Sequence, residues 1–234
     1  MDRPFVHVNV AATADGKIDT FERRGAAISS ARDKERVDKL RAESDAVLIG
    51  GRTLHGDDPK LTIKSAMLRA EREALGLPAN PVKVAVASQL ELKSDSDFLT
   101  AGPSRMMMFT TSKTPESQLV MLRSSGAEVY VLGDEHVDLI NVLHILKENE
   151  IKNLMVEGGA TLNFELINLG LVDELTIYIA PMIFGGETAP TLAAGFGRVR
   201  SAAIPLKLIK SEEWEDGSVL LYYRMSQEAL TSLM

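Results

Sequence analysis

Four short segments hold most of the side chains able to do chemistry, and each follows a run of the type that forms a buried strand. In Asn9-Val10-Ala11-Ala12-Thr13-Ala14-Asp15-Gly16-Lys17, Asn9 can offer a heterocycle both a donor and an acceptor, while Asp15-Gly16 has the composition of a tight turn. In Ile49-Gly50-Gly51-Arg52-Thr53-Leu54-His55-Gly56-Asp57-Asp58-Pro59-Lys60-Leu61-Thr62, a strand runs into two glycines. Such a turn lets backbone approach a ligand closely and leaves amide donors for a phosphate. The segment makes neither a Walker loop nor a full GxGxxG fingerprint. In Met155-Val156-Glu157-Gly158-Gly159-Ala160-Thr161-Leu162-Asn163, a strand ends in a carboxylate and two glycines lead into a helix. That turn would aim free amides at a pyrophosphate, with Thr161 as cap or phosphate ligand. Ala180-Pro181-Met182-Ile183-Phe184-Gly185-Gly186 follows a further strand and could cover a ligand or a subunit interface.

Other conspicuous residues read more plainly. Asp57 and Asp58 lack a third ligand, so no metal site is expected, and at least one should cap a helix or turn before Pro59. His7, His55, His136 and His144 have no metal-ligand spacing among them, and none is assigned a catalytic role. The basic residues Lys34, Arg36, Lys39 and Arg41 alternate with acids, as on a solvated helix face. Met106–Met108 lacks helical spacing and is expected to fill core from a strand.

The elements that must position these residues alternate along the chain. Strands are expected at Phe5–Ala12, with Val6, Val8 and Val10 on one face, and at Ala46–Gly50, Val82–Ala87, Arg105–Thr110, Glu128–Val131, Asn153–Glu157 and Glu174–Ile179. Between them lie helical patterns: one opened by Ser30 and Asp33 and running to about Ala42, then Ser65–Ala74, Pro115–Ser124, Asp138–Glu148 and Leu162–Leu169. Alternation of this kind builds a mostly parallel sheet with helices on both faces. Leu206–Trp214 and Ser218–Arg224 flank Glu215-Asp216-Gly217, whose Asp-Gly pair signals a hairpin. The expectation is one α/β domain over residues 1–225 with a mixed sheet and a C-terminal antiparallel hairpin, followed by a tail at 226–234.

Composition narrows the class. The chain has 234 residues, 45% of them hydrophobic and 25% charged, enough for a large core. It has no cysteine, which excludes disulfides, thiolate metal sites and a cysteine nucleophile and fits a reducing compartment. A net charge of −7 and no basic stripe argue against nucleic-acid binding, and no run approaches the ~18 apolar residues of a membrane helix. The start, Met1-Asp2-Arg3-Pro4, has no signal-peptide pattern, so a cytoplasmic location is expected.

In this order and spacing, the segments resemble the reductases of riboflavin biosynthesis, from about Pro4 to Arg224. The resemblance rests on Thr13-Ala14-Asp15-Gly16-Lys17, Ile28-Ser29-Ser30, Leu40-Arg41-Ala42, Thr53 to Thr62, Val156 to Leu162 and Ile179 to Gly186. It implies a dihydrofolate-reductase-like fold, a homodimer, and NADPH as hydride donor. It implies reduction of the ribosylamino side chain of a phosphorylated pyrimidinone to the ribitylamino form, at C1′ of an opened, imine-like sugar. By matching motifs, Thr53, Asp57 and the turn Gly158, Gly159, Ala160 and Thr161 would contact the cofactor. Asn9, Arg41, Leu61 and Glu157 would line the substrate pocket, with Arg41 and Lys64 suited to its phosphate. Asp15 or a bound water is the candidate proton donor.

The chain also departs from the family. After the third strand the family often places an acid, a serine and a base, whereas here the residues are Val86-Ala87-Ser88-Gln89. Val86 and Ser88 would still adjoin the cofactor, but no base is present there for a 2′-phosphate, which leaves NADH open beside NADPH. The cysteine-bearing zinc signature of a fused deaminase is missing, which points to the diamino substrate. The deaminated 5-amino-6-(5-phosphoribosylamino)uracil, another heterocycle, and a non-catalytic nucleotide sensor on the same fold are the alternatives.

Overall fold

The computed structural model describes residues 2–225. Within the span expected to form one domain, the chain makes two compact units. Of the described residues, the first takes 2–4 and Glu35–Met155, and the second takes Phe5–Lys34 and 156–225. The division falls within helix α1 (Ala31–Glu43) and strand β6 (Asn153–Gly158).

In the first unit, β2 (Ala46–Gly50), β3 (Val82–Val86), β4 (Met106–Thr110) and β5 (Glu128–Val131) lie in the order β5-β4-β3-β2, every pair parallel. All five residues of β2 and of β4 are buried, and both runs are apolar without alternation, save for Thr110 at the end of β4. The three methionines of β4 are core, as expected. Between the strands come α2 (Gly51–Asp57), α3 (Ala66–Ala74), α4 (Asp97–Thr100), α5 (Glu116–Ser124) and α6 (Leu139–Glu148). Leu54, Leu61, Phe98, Met108 and Leu122 are packed with β2 and β3 in one apolar cluster. Lys83, the second residue of β3, is 1% exposed. Its ammonium donates to Phe98 O and Ala101 O at 2.8 and 2.6 Å and so closes the end of α4.

In the second unit, β1 (Phe5–Thr13) pairs parallel with β7 (Glu174–Ala180), and β7 pairs antiparallel with β9 (Val219–Met225). The expected hairpin is β8 (Leu206–Glu213) with β9; Gly217, at φ +81°, makes its turn, and the register shifts once at Leu208/Lys210. Helix α7 (Ala160–Asn168) starts two residues earlier than its apolar pattern suggests. Ile28, Tyr178, Ala180, Trp214 and Leu220 form a second cluster, with Phe184 packed against it. The Arg32 guanidinium lies 4.2 Å from the centre of the Trp214 ring.

The expected start of α1 is observed: Ser30 Oγ accepts the Asp33 amide. Helices α2 and α4 were not expected from the sequence; each is short, and α2 buries only Leu54. The tail read at 226–234 lies outside the described residues. No helix among the described residues is long and apolar enough to cross a membrane.

Candidate active site

In the first unit, the site residues gather on one latched segment. Leu61 sits at φ +49°, a backbone conformation that costs an ordinary residue strain, with its side chain 1% exposed. The following residues are held from several sides. Asp38, buried on α1, accepts the amides of Lys64 and Ser65 at 2.6 and 2.8 Å. Arg41 donates to Thr62 O at 2.9 Å, Asn80 accepts the Ile63 amide, and Arg69 donates to Ile63 O and Lys64 O. The structure thus brings Arg41, Leu61 and Lys64 together, and the Lys64 side chain stays exposed. An exposed ammonium on a segment that Arg41 also holds suits a phosphate. Asp38, Arg69 and Asn80 went unnoticed in the sequence because their partners are backbone groups up to 27 residues away.

Thr53 and Asp57 sit four residues apart on α2, the first half-buried and the second exposed, a spacing that puts both on one helix face. Val86 ends β3, and Ser88 follows, its carbonyl accepting the Thr110 and Thr111 hydroxyls. These two places adjoin: a Cβ on Gly51 would lie 2.6 Å from Ala87 Cβ. Gly51 is therefore required by the close approach of helix and strand, independently of any ligand. Asp58 is the C-cap of α2, the cap expected before Pro59, and its side chain also reaches α4. Its carboxylate accepts the Asp97 and Phe98 amides that open α4, at 2.7 and 3.0 Å. His55 Nε2 takes the Glu91 amide at 3.2 Å, and desolvation lowers its pKa, favouring the neutral ring that can accept.

In the second unit, Glu157 is half-buried near the end of β6, and Gly158, at φ +98°, turns the chain into α7. Gly159 is the helix cap and offers no side-chain oxygen, so among the described residues the first-turn amides of α7, Ala160 and Thr161 among them, have no side-chain acceptor. Thr161 is exposed and lies inside the helix; its expected role as cap is corrected, because Gly159 occupies that position. Open amides at a helix start fit the phosphates of a dinucleotide. Two buried amide oxygens, Asn9 Oδ1 on β1 and Asn163 Oδ1 on α7, have no hydrogen-bond partner among the described residues. An unmet buried acceptor is costly, which makes Asn9 a natural point for a ligand donor. His7 is tied to Thr176 Oγ1 at 2.7 Å. Asp15 accepts from Thr13 Oγ1 and from the Phe184 and Gly185 amides, and these bonds, the Thr13 hydroxyl foremost, lower its pKa.

A strand ending in a glycine turn that opens α7, with polar side chains at the carboxyl ends of β1 and β2, is an arrangement that fits nucleotide binding by an α/β protein. The fold is shared with Acinetobacter baumannii RibD, with TM-score 0.79 and 23% identity over 97% of this chain and 59% of that one. It is shared more distantly with dihydrofolate reductase from Enterococcus faecalis, with TM-score 0.52 and 12% identity over 95% and 97% of the two chains. The chain belongs to the family described as RibD C-terminal domain, whose model matches residues 4–220. Among its relatives is the 2,5-diamino-6-ribosylamino-4(3H)-pyrimidinone 5′-phosphate reductase of Archaeoglobus fulgidus, 42% identical over 193 residues, which are 82% of this chain and 87% of the relative.

Proposed function

We propose that this chain reduces the ribosylamino side chain of 2,5-diamino-6-(5-phosphoribosylamino)pyrimidin-4(3H)-one to the ribitylamino form, with NADPH as reductant, in riboflavin biosynthesis. The observation that carries this is the 42% identity to the archaeal reductase over most of both chains. The bound nicotinamide supplies the hydride; the protein's part is to hold and orient the reactants. In the first unit, Arg41 and Lys64 take the substrate phosphate beside Leu61, and Thr53, Asp57, Val86 and Ser88 serve the cofactor. In the second, Asn9 and Glu157 bind the substrate, and Gly158, Gly159, Ala160 and Thr161 hold pyrophosphate. The cofactor assignment is supported by the open first turn of α7. Arg52, exposed two residues after β2 and without an acid partner among the described residues, can supply the positive charge missing after β3 and favour NADPH over NADH.

The protein acts as a cytoplasmic homodimer in this account. Self-association is supported by strand β8, which ends the second unit's strand order with Leu206, Leu208 and Ile209 at 41%, 51% and 49% exposure. The test is cofactor oxidation by purified protein with the diamino substrate and its deaminated counterpart, each with NADPH and NADH. Faster turnover of the diamino compound with NADPH is expected. No turnover of either compound refutes the assignment, and faster turnover of the deaminated one moves the chain to the later step.

A further inference from the structure

Asp15 occupies the turn after β1, where a carboxyl group could serve as proton donor. Its surroundings give it other work. Oδ1 accepts the Thr13 hydroxyl at 2.5 Å and the Phe184 amide at 3.2 Å, and Oδ2 accepts the Gly185 amide at 2.8 Å. Three donors converge on the two oxygens, and each bond is strongest when the carboxylate is ionised. A carboxylate held in this way has no proton to give.

Those donors come from two loops. Thr13 ends β1 and is 1% exposed; its hydroxyl also accepts the Lys17 amide at 3.0 Å, closing the Thr13–Lys17 turn. Phe184 and Gly185 belong to the loop after β7, and the Phe184 ring packs on the second unit's apolar cluster. The backbone adds further links, Ala14 N to Met182 O and Ile18 N to Pro190 O, each at 2.9 Å, and a bridge between Lys17 and Thr191. Strands β1 and β7 are parallel neighbours, so both loops leave the same carboxyl edge, the edge at which α/β proteins bind ligands. Asp15 itself is exposed, so its replacement leaves the apolar core untouched.

We propose that Asp15 is a positioning residue: with Thr13 it clamps the loop after β1 to the loop after β7 and so holds that edge in shape for substrate. The proposal rests on the reductase assignment for its consequence in catalysis, and on hydrogen bonds alone for the clamp. An asparagine at position 15 keeps one acceptor but turns an NH2 group toward amide donors, and valine at position 13 deletes the hydroxyl without removing a titratable group.

Hydrogen exchange of the free protein, followed by mass spectrometry, reads the clamp directly. In Asp15→Asn the amides of Phe184 and Gly185 should exchange at least about tenfold faster, since each has lost a charged acceptor. Unchanged exchange there overturns the proposal, whether or not the protein is active. Steady-state kinetics read the consequence. Asp15→Asn and Thr13→Val should each raise the substrate KM about tenfold with kcat lowered less than about fivefold, and the double variant should be no worse than either. Thr13→Ser keeps the hydroxyl and should restore the wild-type KM, and the shape of the pH–rate profile should not change. A proton donor behaves otherwise: Asp15→Asn would lower kcat about a hundredfold or more and delete one limb of the profile, while Thr13→Val would do neither. That pattern overturns the proposal. Absence of turnover in the wild type sinks the reductase assignment instead, and leaves the exchange result to decide the clamp.

Discussion

Replacing Asp38 with alanine removes the carboxylate that accepts the Lys64 and Ser65 amides at 2.6 and 2.8 Å. Hydrogen bonds to a charged acceptor are worth about 1.5–3 kcal/mol each. The two here do not add fully, because both amides belong to one segment and Lys64 lies at the surface, where water can replace part of what is lost. A loss of about 3 kcal/mol follows, which for a chain of this length lowers Tm by roughly 6–12 °C. The segment also carries Leu61 in its left-handed conformation, so loosening it releases strain and frees Lys64 from its fixed backbone position. The substrate KM should therefore rise by about tenfold, with kcat much less affected. Urea titration followed by circular dichroism measures the first quantity and steady-state cofactor oxidation the second. A stability change below about 0.5 kcal/mol, typical of an inconsequential surface substitution, together with an unchanged KM would refute the role given to Asp38.

Gly51→Ala places a methyl group 2.6 Å from Ala87 Cβ and should cost about 1–3 kcal/mol, and adding Ala87→Gly should recover most of it; equal melting points for single and double variants would contradict the packing argument. Burial holds the Lys83 ammonium at a pKa of about 8 against an ordinary 10.5. The unfolded chain then binds more protons between those values, so stability should rise with pH from about 8 to 10.5, and Lys83→Met should flatten that rise in pH-dependent urea melts. Glu212 is held at about 2 by the Lys210 ammonium first, then by the Trp214 indole and the Tyr222 hydroxyl. Its contribution is complete above about 4.5 and lost as pH falls toward 2; Trp214 fluorescence should report it, and Glu212→Gln should lose that dependence.

Much of the fold could be read from residue order. Buried β2 and the first four residues of β4 are uninterrupted apolar runs, and the Asp216-Gly217 pair marked the β8–β9 turn. Helix α2 escaped because it opens with glycine, ends at Asp57 and buries one side chain, so no apolar stripe announces it. The roles of the carboxylates were the least legible. Asp38, Asp58 and Asp15 each meet backbone amides between 26 and 170 residues away, and nothing in the local sequence encodes those partners. Gly51 is instructive in the same way: it was read as a ligand turn, whereas the neighbour that demands it is Ala87. Legible motifs were those set by local backbone chemistry, such as the Gly158–Gly159 turn opening α7, and the hidden ones depend on tertiary pairing.

The central claim is hydride delivery to the sugar C1′ of the phosphorylated pyrimidinone. The direct measurement is one turnover with NADPH carrying deuterium at the transferring carbon, followed by mass spectrometry and NMR of the product. A single deuterium at C1′ of a ribitylamino product is the predicted result. Deuterium at a ring carbon, or a substrate recovered unchanged, would contradict the account.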